Sequence, residues 1–308
     1  MALDDYQISF GGLTIGDGTD YDLNEVTGIE SFDVRDSDVP FPNQWGSIAG
    51  VDEVNGRKIT IDVEIAAGDD WSFAQAFESA FLPSDEGQFG DLVAKFPGRD
   101  ELYFQARVRK RTRRRVVEET LGLVRIGVEL FAPDPRAYSN ELFSEAIPAY
   151  EAGTEALELS AGSGADLAFD LTLGAGADLA FDFSGVAAVG DFVLVNDGNV
   201  DTYPTIVFTP AGAGALTEYR VSNLTTGVTF TCTATVSPGQ TLTADMAAVA
   251  TPKAGLPISL AGETRYGSWS QPRTPLALVP GNNTVRFEVI SGTATGAIAT
   301  VSWRSAWL

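Results

Sequence analysis

The side chains able to transfer protons, hold metals or attack carbonyls are few in this chain of 308 residues. Histidine is absent, and cysteine occurs once, at Cys232. Those two counts exclude Ser-His-Asp and Cys-His nucleophile pairs, histidine zinc ligands, thiolate metal cages and any disulfide within the chain. What remains is a set of 42 scattered carboxylates, which would have to converge in space before they did acid–base work. None of the motifs GxxxxGK[ST], GxGxxG or GxSxG occurs. No catalytic residue, metal or cofactor is therefore expected, and the chain reads as a non-enzyme.

Four groups of residues still carry chemical interest. Asp69 and Asp70 resemble cation ligands but stand just before an apolar stripe, where Asp70 caps a helix more naturally. Asp166, Asp170, Asp178 and Asp182 belong to a repeat of Gly-Ala-Asp-Leu-Ala-Phe-Asp at an offset of 12. They would line one face of a hairpin, solvated or around Ca²⁺, although the close acidic spacing of known calcium loops is missing. Seven cations in nine residues, Arg107, Arg109, Lys110, Arg111, Arg113, Arg114 and Arg115, form the third group. Such a cluster repels itself and is either a solvated tip, a dock for acidic surface on a neighbouring subunit, or a DNA contact; no interleaved aromatics offer base stacking. Tyr266 and Trp269, in the turn-rich Gly262–Pro272 stretch, are the fourth: a sugar-stacking platform, a core element or a partner contact.

Positioning these groups requires elements that the pattern supplies. The length suits about two domains, each large enough for its own core. The 32 glycines and abundant Thr and Val favour short strands. Ile59, Ile61, Val63 and Ile65 alternate with polar residues behind an Asn55-Gly56 turn signal, as in a half-buried strand. Phe73, Ala74, Phe77, Ala80 and Phe81 mark one stripe of a helix of about three turns, stopped by Pro83. Leu102, Phe104, Ala106 and Val108, then Val124, Ile126, Val128 and Leu130, predict the two arms of a long hairpin, with the cation cluster between them. Pro133 and Pro135 forbid helix and central strand and suggest a boundary. Beyond it, strands are expected at 193–195, 205–209, 218–222, 228–236, 284–290 and 297–303, in an antiparallel sandwich needing no second helix. In the 228–236 run Phe230, Cys232, Ala234 and Val236 share a face, which makes Cys232 a small buried apolar residue.

Charge narrows the partners. The net charge of −22 divides into −12 over residues 1–140 (14 Lys/Arg, 26 Asp/Glu) and −10 over 141–308 (6 and 16), so whole-surface binding to DNA is disfavoured. No apolar run approaches the roughly 20 residues of a membrane helix, and the first ten residues lack a signal-peptide pattern. A soluble, unsecreted chain without membrane insertion is expected.

The order of Thr27-Gly28-Ile29, Asn55-Gly56-Arg57 before an isoleucine-rich strand, one helix, a long hairpin and then Glu129-Leu130-Phe131-Ala132-Pro133-Asp134-Pro135-Arg136-Ala137-Tyr138 resembles the N-terminal ring domain of siphophage distal tail proteins. Asn196-Asp197-Gly198-Asn199, Thr202-Tyr203-Pro204, Leu224-Thr225-Thr226-Gly227 and Pro280-Gly281-Asn282-Asn283 are similar to the C-terminal domain of that family. The resemblance implies a mainly β fold: a tail-tube-like sandwich or barrel over 1–140, and a galectin-like antiparallel sandwich over 141–308, with an Ala/Gly-rich lead-in at 141–189. It also implies a homohexameric ring at the tail tip of a virion, assembled in the host cytoplasm. Its neighbours would be the tail tube protein, the hub or tail-associated protein and the tape measure protein, with DNA as passing cargo. A tail tube protein and a wall-glycan-binding minor tail protein are the rival readings.

Overall fold

The computed structural model describes residues 2–41, 45, 47–66, 71–83, 89–114, 122–150, 190–210, 212, 214–250 and 257–308. Its elements are almost all antiparallel strands, organised around two separate apolar cores.

The first core lies under a sheet whose main path runs Leu13–Gly16, Gln7–Phe10, Gly90–Lys95, Leu102–Arg114, Leu123–Ala132, Arg57–Ala66 and Tyr21–Thr27. Period-2 alternation works as expected here: Ile59, Ile61, Val63 and Ile65 are wholly buried, as are Val124, Ile126 and Leu130 on the adjacent strand. The two strands pair from Leu123↔Ala66 to Ala132↔Arg57 without a slip.

The helix Ser72–Ala80 packs on this sheet and is shorter than the expected three turns. Trp71 stands at its N-terminal boundary without a side-chain cap of its own, and Asp69 and Asp70, with the capping role expected of Asp70, lie outside the described residues. Phe81 closes the helix through its N–H to the Phe77 carbonyl, two residues before Pro83. Phe77 and Phe81 are fully buried, with ring centroids 4.6 Å apart, and Phe10 stacks on Phe81 at 5.1 Å.

The second core fills a sandwich. One sheet orders Phe143–Pro148, Ile298–Trp303, Thr205–Thr209, Leu242–Asp245, Ile258–Leu260 and Glu263–Thr264; the other orders Asp191–Asn196, Gly281–Gly292, Leu216–Asn223 and Val228–Cys232. Phe208 sits at its centre, 4.7 Å from Tyr219, 5.9 Å from Phe230 and 5.7 Å from Phe287. Cys232 is buried beneath Tyr219, and burial pushes its thiol pKa up, in keeping with a packing role.

Three features differ from expectation. A second, five-residue helix, Met246–Ala250, follows Leu242–Asp245, and Asp245 Oδ1 accepts from the Ala248 N–H at 3.0 Å. Asn55-Gly56 is not a hairpin turn. It links the short Glu53–Val54 strand to Arg57–Ala66, and Gly56 is pressed against the Phe131 ring and the Ala132 carbonyl, leaving no room for a Cβ. The lead-in begins as a regular strand, since Phe143–Pro148 pairs fully with Ile298–Trp303; the Asp-bearing repeat at 164–182 lies outside the described residues.

Phe77→Ala removes the ring that joins helix to sheet and should destabilise the first core by about 3–5 kcal/mol. Chemical denaturation should show a midpoint lowered accordingly, and an unchanged midpoint would contradict this packing.

Candidate assembly surfaces

Six of the seven cations, Arg107 to Arg114, lie in the strand Leu102–Arg114. Leu102–Arg114 pairs with Leu123–Ala132 from Arg107↔Phe131 to Arg114↔Arg125, and a register shift falls between Val108 and Lys110. That bulge has a large effect because strand side chains alternate faces: one extra residue exchanges inside for outside. Before it, Phe104, Ala106 and Val108 point into the core. After it, Arg111 and Arg113 stand opposite the buried Val128 and Ile126 and therefore take the inward phase.

What these two inward arginines meet is the end of the helix. Arg113 Nη1 lies 3.1 Å from Glu78 Oε1 and its guanidinium stacks 5.3 Å from the Trp71 ring; Arg111 donates to the Glu78 carbonyl and pairs with its carboxylate. Cations beside the last turn complement the helix dipole and its orphan carbonyls. Among the described residues, Arg111 and Arg113 thus have an acidic partner in the same chain. Arg125 pairs with Glu64 at 2.7 Å and Lys58 with Glu129 at 2.8 Å on the outer face.

Arg107, Arg109 and Lys110 are different. Among the described residues none of them forms an ion pair. Arg107 lies over the Phe89 ring at 5.5 Å with its Nε buried and unbonded, Arg109 lies over Phe131 at 5.0 Å, and Arg109 and Lys110 are exposed. Arg115 lies outside the described residues, and of Arg114 the structure gives the strand pairing alone.

Tyr266 and Trp269 part company. Trp269 is 1% exposed, packed 5.4 Å from Phe230 within the second core, so its faces are closed to a sugar ring. The alternation of the loop gave no sign of this depth, because the burying contact comes from Cys232, which bridges to Trp269 across the sheet. Tyr266 remains partly exposed, edge-on to Trp269 and covered by Arg273 at 4.8 Å. No cluster of metal-binding side chains is found among the described residues, and no described helix is long and apolar enough to cross a membrane.

The two halves are clasped together at a joint that spacing did not foretell. Ala137–Ser139 pairs on one side with Leu102–Arg114 and on the other with Ala306–Trp307, so the chain returns at its far end to extend the first sheet. Ser305 N donates to Ser139 Oγ at 3.1 Å and Ser139 N to Ser305 O at 2.9 Å. Arg304 donates to the Ser139 and Asn140 carbonyls while stacking 4.3 Å from Tyr103. The exit motif supplies the rest: Tyr138 donates to Asp134 Oδ2 at 2.6 Å, the Arg136 N–H to Asp134 Oδ1 at 3.0 Å, and Arg136 lies 4.8 Å from the Tyr203 ring. A cleft of about 190 Å³ at the joint is lined by Phe89, Tyr103, Tyr138, Tyr203 and Trp303; of its charged groups, Asp134 and Arg304 make the contacts just given and Asp245 accepts from the Ala248 N–H.

An arm built from residues 33–41, 45 and 47–54 carries no periodicity in the sequence. It is held by two short ribbons, Val34–Arg35 with Glu53–Val54 and Val39–Pro40 with Ser47–Ile48, and it shows Val34, Val39, Phe41, Trp45, Ile48 and Val51 to solvent.

No protein-family model matches the chain, and no curated protein does. Solved structures match along almost the whole chain. SPP1 Dit (gp 19.1), described as a paradigm of the hub adsorption apparatus in phages that infect Gram-positive bacteria, superposes with a TM-score of 0.61 and 11% identity over 98% of this chain and 99% of that one. Two structures of the phage P2 baseplate in its activated conformation, with Ca and with Sr, match at a TM-score of 0.50 and 8% identity over 96% of both chains. The likeness at such identities is one of fold, and that fold is mainly β, as expected.

The joint carries a pH signature. Burial, then a hydrogen bond to Asp91, pushes the Tyr103 phenol up from 10.0 to about 12, and burial also raises Tyr138 beside it. Below pH 10 such a phenol is neutral folded and unfolded; between about 10 and 12 the unfolded chain alone ionises, so stability falls as pH rises through that window. The melting temperature should drop there, and less steeply for Tyr103→Phe; a level profile would contradict the assignment.

Proposed function

We propose that the chain is a structural component of a phage tail tip: a homohexameric ring that joins the tail tube to hub and tail-tip proteins, with its first half around a lumen that DNA crosses. The carrying observation is the fold shared with SPP1 Dit from one end of the chain to the other. Fold alone does not grant function, but the chemistry of the chain points the same way. It has no histidine, one buried cysteine, and charged groups at the joint that are occupied in holding two β units together.

In this role the chain divides into a ring-forming domain over 1–140 and a sandwich domain over 141–308, and catalysis has no part. The net charge of −22 suits a DNA channel, since a wall of like charge keeps the passing polymer from sticking. Arg107, Arg109 and Lys110 would meet a neighbouring subunit, because a head-to-tail ring brings a projecting strand onto the next copy. Assembly in the host cytoplasm and incorporation into the virion beside the tail tube and tape measure proteins follow from the role. With Trp269 in the core, glycan binding would fall to Tyr266.

Negative-stain microscopy with native mass measurement tests the ring. Closed sixfold rings with a central hole are the expected outcome; stacked open tubes would favour a tube protein, and a persistent monomer would refute the ring. Titration with host-wall polysaccharide should give no saturable signal that Tyr266→Ala abolishes, and such a signal would move the function to glycan recognition.

A further inference from the structure

The arm at 33–54 is costly to leave bare. Trp45 is 102% exposed, Val51 75%, Val39 59% and Ile48 57%, on a projection that the two cores do not cover. Soluble monomers seldom leave large apolar groups clustered in solvent, and such groups mark contact surfaces. The arm is also acidic: Asp33, Asp36, Asp38, Asp52 and Glu53 stand against Arg35 alone, and Arg35 is spent on Glu53. Asp36 and Asp52 are exposed and form no ion pair among the described residues.

Its chemical complement is on the same chain. Arg109 and Lys110 are exposed cations without ion pairs, on a strand whose bulge has turned them outward, with the Phe131 ring beside them. An acidic arm bearing the exposed Trp45 and a basic strand with an adjacent ring form a self-complementary pair of unlike surfaces. Two unlike patches on one chain make a head-to-tail contact between copies.

We infer that the arm of one copy docks on the basic strand of a second copy of this chain, Asp36 and Asp52 facing Arg109 and Lys110, with Trp45 as the buried anchor. The inference rests on self-assembly of the chain and is independent of how many copies close the assembly.

The test is charge exchange on the full chain, read by native mass and by sedimentation across a concentration series, with circular dichroism confirming that each variant is folded. Asp36→Lys with Asp52→Lys, or Arg109→Glu with Lys110→Glu, should each weaken self-association about tenfold or more. Trp45→Ala should weaken it about 30-fold, as expected for a buried aromatic anchor. Mixing the two charge-reversed chains should restore association, as should combining all four changes in one chain.

Assembly that ignores all these substitutions would overturn the arm contact and leave the ring standing. A dimer or open chain that responds to them would support the contact and remove the ring. A wild-type chain that stays monomeric at every concentration would overturn both.

Discussion

Arg57 is the one charged side chain that the described residues bury, at 4% exposure, and three stretches of chain converge on it. Its guanidinium donates to the Ile29 carbonyl, at the root of the arm, to the Ser31 carbonyl at 3.4 Å, and to the Pro135 carbonyl in the exit motif, while lying 5.6 Å from the Phe104 ring. Burial lowers its pKa and the nearby Asp134 opposes that shift, and the guanidinium keeps its charge. Burying a charge is tolerable when hydrogen bonds replace its water. Without Arg57, three carbonyls from distant parts of the sequence would lose a shared donor. The arm, the strand Arg57–Ala66 and the exit toward the second half would then lose the one side chain that binds all three.

From that node two devices give the molecule its outline. One is the β-bulge at Val108–Lys110, which lets a single strand serve the core for half its length and then present cations outward and to the helix end. The other is the clasp of Ser139, Arg304 and Ser305, reinforced by Asn196, whose Oδ1 accepts from the Gly198 and Ala306 N–H groups. Buried asparagines repeat this theme in the second half. Asn283 bonds Val279 through both its N–H and its carbonyl and accepts from Asn223, so amide side chains stand in for missing backbone partners at the loop crossings.

Local periodicity made much of the fold legible. The alternation at Ile59–Ile65, the phenylalanine stripe of the helix and the strands at 205–209 and 284–290 follow from burial on one face, a property each segment carries by itself. The segments that carried the family resemblance also prove to be physical contacts: Gly28, at φ +88°, presses on the Lys58 carbonyl, and Asp134 binds Tyr138. What could not be read depends on pairing at a distance. The bulge that redirects Arg111 and Arg113 is a property of two strands in register, and RVRKRTRRR looks the same with or without it. For Trp269 the turn-rich loop left core, partner contact and sugar platform open, because the strand that covers it comes from Cys232. The arm was missed because its ribbons are two residues long, too short for any period to show.

The return of Ala306–Trp307 to the first sheet has a consequence for the order of events during synthesis. Strands, helix and core of the first half are complete in sequence by residue 137, and domains generally fold as units as they emerge, N-terminal first. The outer edge of Ala137–Ser139, however, stays open until residues 306 and 307 have left the ribosome. An open sheet edge is a template for any passing strand. The two halves therefore lock only after both have been made, and the joint ties the fixing of the first sheet's edge to the folding of the second half.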